Sequence, residues 1–207
     1  LIVACYHFGK EDTVFFVNKE ILFKEILYFF KGSSVIIAPL LFHREETIEI
    51  FRALNFNIFE NSLFSDTFLL IFLFLGLISS FFLSHKKDIN FKILLMTDFL
   101  SILIINFFLS PILAFTIYFC FLHSIRHSIT LIFELDKSFK NGFRKFIKKA
   151  IPLTLITSFA FIVAIYLLNN FYELNEAIYK VIFIGLASLT FPHILLEYLL
   201  EKNEKRS

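Results

Sequence analysis

Long apolar runs separated by short polar segments dominate this sequence. Three of them, Asp66–Leu83, Lys92–Leu109 and Ala150–Leu168, have about the length that a helix needs to cross a bilayer, roughly 20 residues. Two more runs, Ile112–Phe133 and Ala177–Leu200, are similarly long but contain histidines. The pattern predicts an all-α chain that folds as a polytopic transmembrane helix bundle.

The N-terminal part of the chain has a less regular pattern. Leu1–Phe8 is typical of the end of a membrane helix, and Thr13–Phe30 of an amphipathic interfacial helix or of a span packed on partners. The polar segment 31–34 predicts a break. After it, Val35–Phe42 is too short to cross the bilayer and is expected to be re-entrant or buried in protein. Thr47–Phe56 is expected to be a short amphipathic surface helix.

The composition supports a membrane location. Hydrophobic residues make up 57% of the chain, charged residues 18%, and the mean hydropathy is +0.76. Soluble domains are about 45–50% apolar and about 25% charged. A net charge of +2 is too small to indicate binding to nucleic acid. The apolar composition makes the lipid bilayer the expected surroundings. Cys5 and Cys120 lie in apolar runs and are interpreted as small buried hydrophobic residues.

Charged residues predict the orientation of the chain. Lysine and arginine are concentrated at 86–92, within the predicted polar loop Glu134–Lys149, and at 202–206, whereas 43–65 and 169–176 are richer in acids. Counting crossings places the basic segments on one side of the membrane, which the positive-inside rule makes the cytoplasm. We therefore expect a multi-pass protein of the cell inner (plasma) membrane with a cytoplasmic C-terminus.

A pair of histidines lies in the predicted span Ile112–Phe133. His123 and His127 are four residues apart, a spacing that puts both on one face of a helix, one turn above the other. A lone buried histidine is commonly a hydrogen-bonded core residue, but ionisable groups within membrane spans often mark function. Two imidazoles at this spacing can bind one metal ion. Imidazole suits iron, zinc and copper, and the sequence has no thiolate cluster to select zinc.

Other polar groups are predicted to lie near the same depth. At about 1.5 Å per residue, Asp98, His127 and His193 are each roughly 9 Å inside the cytoplasmic boundary, and His123 is one turn deeper. Ligating histidines usually donate their second N–H to a carboxylate, and Asp98 and Glu197 are available for that. Arg126 is expected to pair with Asp98 or a polar substrate group, or to be a structural or snorkelling cation. His193 is expected to be a ligand, a residue that orients one, or a core residue.

A further histidine lies at the end of the first apolar run. His7 is interpreted either as an interfacial residue or as part of a metal site, and Gly9 would end its helix or allow close backbone contact. Asp12 is expected to cap the next helix or to orient His7. His43 follows an apolar stretch and is expected in a surface loop.

Four segments carry a resemblance to a known family: Tyr6–Asp12, Pro39–His43, Tyr118–His127 and Leu189–His193. Tyr118–His127 is similar to the YFCxxHSxRH signature of the Brp/Blh family of membrane β-carotene 15,15'-dioxygenases, and Tyr6–Asp12 to its HFGxxD segment. Leu189–His193 resembles the family's C-terminal TxPH segment, and Pro39–His43 a proline-bearing stretch. The four occur in the family's order and extend over nearly the whole chain.

The resemblance implies an iron-dependent enzyme in which Fe²⁺ is held by His7, His123 and His127. Such an enzyme cleaves the central 15,15' double bond of β-carotene with O₂ into two retinal molecules, often to supply a microbial rhodopsin. We expect no catalytic residue beyond these metal ligands. Supporting roles near the metal are expected for His193, Asp98, Asp12 and Arg126.

The start of the chain departs from the family pattern. Leu1 opens in the middle of an apolar run, and the family's further ligand histidine, in an HGxxD-type motif near its N-terminus, has no counterpart here. We therefore expect residues 1–207 to be a single transmembrane dioxygenase-like domain that lacks its N-terminal portion and one metal ligand.

Two other classes of protein are compatible with the pattern. Membrane fatty-acid desaturases and hydroxylases also use HxxxH and non-haem iron, but they need about eight histidines, including HxxHH clusters. This chain has six histidines and no HxxHH. A non-enzymatic polytopic protein, such as a transporter or an assembly subunit, would consume no O₂, and the internal repeats common in transporters are not visible here.

Overall fold

The structure, a computed structural model, describes residues 1–13, 23–57, 64–84 and 89–188. These residues are 87% helical and contain no strand, which confirms the predicted all-α fold. In chain order the α-helices are α1 (Ile2–Glu11), α2 (Lys24–Phe42), α3 (Arg44–Ala53), α4 (Asp66–Leu83), α5 (Ile89–Phe108), α6 (Pro111–Ile117), α7 (Ile125–Leu135) and α8 (Phe139–Leu168). A π-helical segment, Tyr118–Ser124, joins α6 to α7, and residues 174–188 are also helical.

Five helices of the described part are long and apolar enough to cross a membrane. They are α2, α4, α5, α8 and the continuous helix Pro111–Leu135. The bounds of α4 match the prediction, and Pro111 begins the fourth of these spans at its N1 position, where its missing N–H costs nothing. The predicted last span, Ala177–Leu200, is helical to residue 188, beyond which it lies outside the described residues.

The predicted break at 31–34 is wrong. Helix α2 continues through Lys31 and Pro39 as one span of 19 residues. The small residues serve packing instead of breaking the helix, because a Cβ at Gly32 would clash with the carbonyl of Cys5 in α1. The hydroxyl of Ser34 donates to the Lys31 carbonyl, which satisfies a polar side chain without water. Val35–Phe42 is therefore the second half of a span, not a re-entrant segment.

The predicted polar loop Glu134–Lys149 is also mostly wrong. Helix α7 ends at Leu135 and α8 begins at Phe139, so the basic residues lie on the first turns of a 30-residue helix. Lys140, Arg144, Lys145, Lys148 and Lys149 are exposed there. Long basic side chains can cover apolar surface while their charges reach water, so a run of lysines does not end a helix.

The first compact unit comprises residues 1–49 and 57–142. Helix α2 is its centre and packs against α1, α4 and α5. Gly9 of α1 and Gly32 of α2 face each other, since a Cβ on either one would overlap the backbone of the partner helix. Tyr28, Leu83 and Leu95 form a buried apolar cluster from α2, α4 and α5. Cys5 is buried as predicted, but Cys120 is exposed.

The second compact unit comprises residues 50–56 and 143–207. Its described part contains most of α8 and the helix 174–188, where Gly185 accommodates the ring of Phe161. Lys180 donates to the carbonyl of Ala53, pairs with Glu176 at 3.0 Å and lies 4.5 Å above the ring of Tyr172. The prediction of a single domain is left open by this division and stays a prediction.

Replacing Gly32 with alanine should destabilise the first unit, because the added methyl group would push α1 away from α2. Overpacking of this kind costs about 1–3 kcal/mol of unfolding free energy. The measurement is thermal or SDS-induced unfolding of the purified protein in detergent micelles. Gly185→Ala is the matched control, since its Cβ would meet a movable Phe161 ring and not backbone. Equal stability of the two variants would contradict the packing described here.

Candidate metal centre

The candidate ligands and the acids next to them come from two segments that are more than a hundred residues apart in sequence. One is the end of α1 with the residue after it, which supplies His7, Glu11 and Asp12. The other is the π-helical segment and the first turn of α7, which supply His123 and His127. Because α1 packs closely on α2 through glycine, its C-terminal end reaches the interior of the first unit. The structure thus brings all three predicted histidine ligands into one region.

His123 lies in an aromatic environment. Its side chain is buried, and the ring centroids of His7 and His123 are 5.6 Å apart. The ring of Phe8 meets His123 edge-on at 5.2 Å, and Phe119 stacks on it at 5.5 Å. His7 is likewise buried, so both imidazoles are largely shielded from solvent within the chain.

Asp12 is the carboxylate that contacts His123. Its Oδ1 lies 3.0 Å from His123 Nδ1, and its Oδ2 accepts a 2.7 Å hydrogen bond from the Tyr118 hydroxyl. Burial raises the pKa of Asp12, but the hydrogen bond from His123 and the charge of Lys31 outweigh this and hold that pKa below its ordinary value. An ionised carboxylate only accepts hydrogen bonds, so Nδ1 of His123 carries the proton and Nε2 keeps its lone pair. The residues after Thr13 lie outside the described part of the chain, so the expectation that Asp12 caps the next helix stays a prediction.

His127 has a similar arrangement with the neighbouring acid. Its Nδ1 lies 3.4 Å from Oε2 of Glu11, a residue that is buried at the end of α1. The His127 side chain is 33% exposed, so this pair is more open than the one between Asp12 and His123. A proton on Nδ1 again directs Nε2 away from the carboxylate.

Arg126 and Asp98 form a largely buried ion pair, with side chains that are 21% and 10% exposed. The two guanidinium nitrogens of Arg126 each contact one oxygen of Asp98 at 2.9 Å, and Arg126 also donates to the backbone carbonyl of Asp12 at 3.2 Å. This is the geometry of a bidentate arginine–carboxylate pair. Of the two predicted roles for Asp98, the structure shows the partner of Arg126.

Sequence reasoning missed three residues of this region. Glu11 and Tyr118 lie within the two motif segments, but the sequence alone indicates no role for either. Lys31 was treated as part of a helix break, but it is 2% exposed and its charge acts on Asp12. The available signal was the cost of burying a lysine in an apolar run, which requires a nearby acid.

Two other predicted positions stay outside this cluster. His193 lies outside the described residues, so its predicted role stays a prediction. His43, expected in a surface loop, is the residue between α2 and α3. Its Nε2 is buried and has no hydrogen-bond partner in the part of the chain that the structure describes.

The donor chemistry of the region fits a ferrous ion. Histidines that bind metals usually hold a carboxylate or carbonyl at their other nitrogen, and both His123 and His127 do so. Imidazole nitrogen is a suitable ligand for Fe²⁺, and His7 adds a third imidazole near His123. Within residues 1–13, 23–57, 64–84 and 89–188, no three His, Cys, Asp or Glu side chains form a preassembled metal-binding group. The fit is therefore one of ligand type and of the carboxylates that contact the histidines.

Comparison with known proteins adds a family. The family model of beta-carotene 15,15'-dioxygenases matches residues 1–201. A curated beta-carotene 15,15'-dioxygenase from an uncultured marine bacterium, 66A03, is 32% identical over 111 residues, which cover 53% of this chain and 39% of that relative. The chain thus matches well under half the length of that relative. No solved structure matches the chain.

Asp98→Asn should destabilise the protein, because it leaves the Arg126 charge in an apolar interior with a neutral partner. Breaking a buried ion pair from one side costs roughly 3 kcal/mol. Asp66→Asn is the matched control, since its pair with Arg44 has the same 2.9 Å separation but side chains that are 77% and 36% exposed. An exposed pair contributes about 0–1 kcal/mol. Unfolding in detergent measures both variants, and equal losses would refute a special role for burial.

Proposed function

The chain belongs to the beta-carotene 15,15'-dioxygenase family, as its motifs indicated, and we propose that it cleaves β-carotene at the central 15,15' double bond with O₂. The carbon–carbon double bond breaks, one oxygen atom bonds to each of the two carbons, and two retinal molecules result. The residues that carry this activity in the proposal are His7, His123 and His127.

The observation that carries the proposal is the approach of α1 to the π-helical segment. It places a buried carboxylate against each histidine of the HxxxH pair, with Asp12 at His123 and Glu11 at His127. A structural histidine needs only one hydrogen-bond partner from any polar group. Two histidines on one helical face, each with a carboxylate at Nδ1, form the arrangement that metal ligands use.

In the proposed mechanism, His7, His123 and His127 would hold Fe²⁺, which would supply the redox chemistry that activates O₂. Asp12 and Glu11 keep the proton on Nδ1 of their histidines, so both Nε2 atoms stay available as ligands. Arg126 and Asp98 neutralise each other next to Asp12 and hold α5 against α7 at this depth.

The aromatic surroundings suit an apolar polyene. Phe8 and Phe119 pack on the ring of His123, and Tyr118 meets Phe8 edge-on at 5.6 Å. Such rings exclude water and make favourable contacts with a conjugated hydrocarbon. A carotenoid dissolves in the bilayer, so a site formed by membrane helices receives it without passage through water.

The proposal includes the placement of the chain in the cell. We propose that it lies in the inner (plasma) membrane, with 84–92, the start of α8 and the C-terminus facing the cytoplasm. The support is the excess of lysine and arginine in these segments. Retinal released into the same bilayer would be available to a rhodopsin, which we propose as its recipient.

A colour assay tests the reaction. The whole gene that encodes this chain is expressed in β-carotene-producing bacteria, and orange colour and retinal are followed by chromatography. We expect bleaching with formation of retinal. His123→Ala and His127→Ala should abolish both, since each removes an iron ligand.

The matched control is His85→Ala, which removes a histidine that the sequence places beside two lysines in a polar segment. It should bleach as the unsubstituted protein does. Bleaching that survives His123→Ala, or products other than retinal, would contradict the proposed site or the proposed bond.

A further inference from the structure

The π-helical segment changes which side chains share a face. At about 100° per residue, positions five apart on an α-helix are about 140° apart and point in different directions. In a π-helix the hydrogen bonds connect residues five apart, which brings such residues to about the same face. Tyr118 and His123 are five apart and both lie in the π-helical segment.

One carboxylate makes use of that alignment. Asp12 Oδ2 accepts from the Tyr118 hydroxyl at 2.7 Å, while Oδ1 contacts His123 Nδ1 at 3.0 Å. Because each oxygen has its own donor, the carboxylate cannot rotate without losing one of them. Tyr118 is 1% exposed, so no water competes for this bond from outside the chain.

We propose that Tyr118 is a positioning residue: by holding Oδ2 of Asp12, it fixes the plane of the carboxylate that orients His123, and the π-helical segment is what brings it within reach. This inference rests on the proposed function, because the orientation of His123 matters only if His123 binds a metal. The inference goes beyond the proposed function because it assigns a role to Tyr118, which is not a metal ligand and acts on His123 through Asp12.

The test is Fe²⁺ affinity of the full-length protein in detergent, measured without O₂ by competition with a chromogenic chelator. Tyr118→Phe removes one hydroxyl and keeps the ring. We expect about fivefold weaker Fe²⁺ binding, the usual effect of one lost hydrogen bond. The kcat for carotenoid cleavage should fall with KM unchanged. A residue that only fills the core would leave Fe²⁺ affinity as it was.

Tyr6→Phe is the matched control. The Tyr6 hydroxyl also donates to a carboxylate, that of Glu25, but this hydrogen bond is exposed, whereas the one from Tyr118 to Asp12 is buried. Tyr6→Phe should leave Fe²⁺ affinity and kcat unchanged. Equal effects of the two substitutions, or Tyr118→Phe binding within twofold of the unsubstituted protein, would overturn the inference and leave the proposed function intact.

Two further measurements separate the remaining outcomes. If the unsubstituted protein binds no Fe²⁺ that depends on His123, the proposed function fails and the inference fails with it. If Tyr118→Phe does not fold, the Fe²⁺ affinity of Tyr118→4-aminophenylalanine is measured instead, because this substitution restores a hydrogen-bond donor on the same ring. Affinity equal to that of the unsubstituted protein supports the inference, and a fivefold loss in that folded variant overturns it.

Discussion

A charged carboxylate in an apolar helix bundle persists only if every oxygen has a donor, and Asp12 is the group on which this structure depends. Tyr118 and His123 serve its two carboxylate oxygens, and Arg126 serves its backbone carbonyl. Lys31 from α2 adds a nearby positive charge. Without these partners, the free-energy cost of burying the carboxylate would exceed the free energy gained by packing the helices. The acid therefore fixes the positions of four side chains from three helical segments.

The close contact between α1 and α2 brings Asp12 within reach of these partners. Gly9 and Gly32 let the two backbones approach until a Cβ on either would overlap the other, which sets the depth of α1 in the bundle. That depth sets the positions of three side chains at the end of α1 and just after it: His7, Glu11 and Asp12. Interhelical packing by small residues and a buried polar network thus act together, as expected where lipid provides no hydrophobic driving force between helices.

The sequence was sufficient for what depends on composition and spacing. Apolar length predicted most of the spans, and the HxxxH pair marks the two histidines that Asp12 and Glu11 contact. It failed where tertiary contacts override local signals. Lys31 and Gly32 looked like a helix break because their partners, Asp12 and Cys5, are distant in sequence. The basic residues before Ala150 looked like a loop because a helix that emerges from a membrane carries the same composition. The π-helical segment has no local signature in this sequence, so the alignment of Tyr118 with His123 could not be predicted.

X-ray absorption at the iron edge tests the central claim most directly, namely that histidines oriented by Asp12 and Glu11 bind a metal. The sample is the full-length protein, purified without O₂ and loaded with Fe²⁺. The account predicts nitrogen ligands with the multiple-scattering pattern of imidazole, and a loss of imidazole scattering in His123→Ala and in His127→Ala. Iron bound by oxygen or sulfur alone, with a spectrum that neither substitution changes, would contradict it.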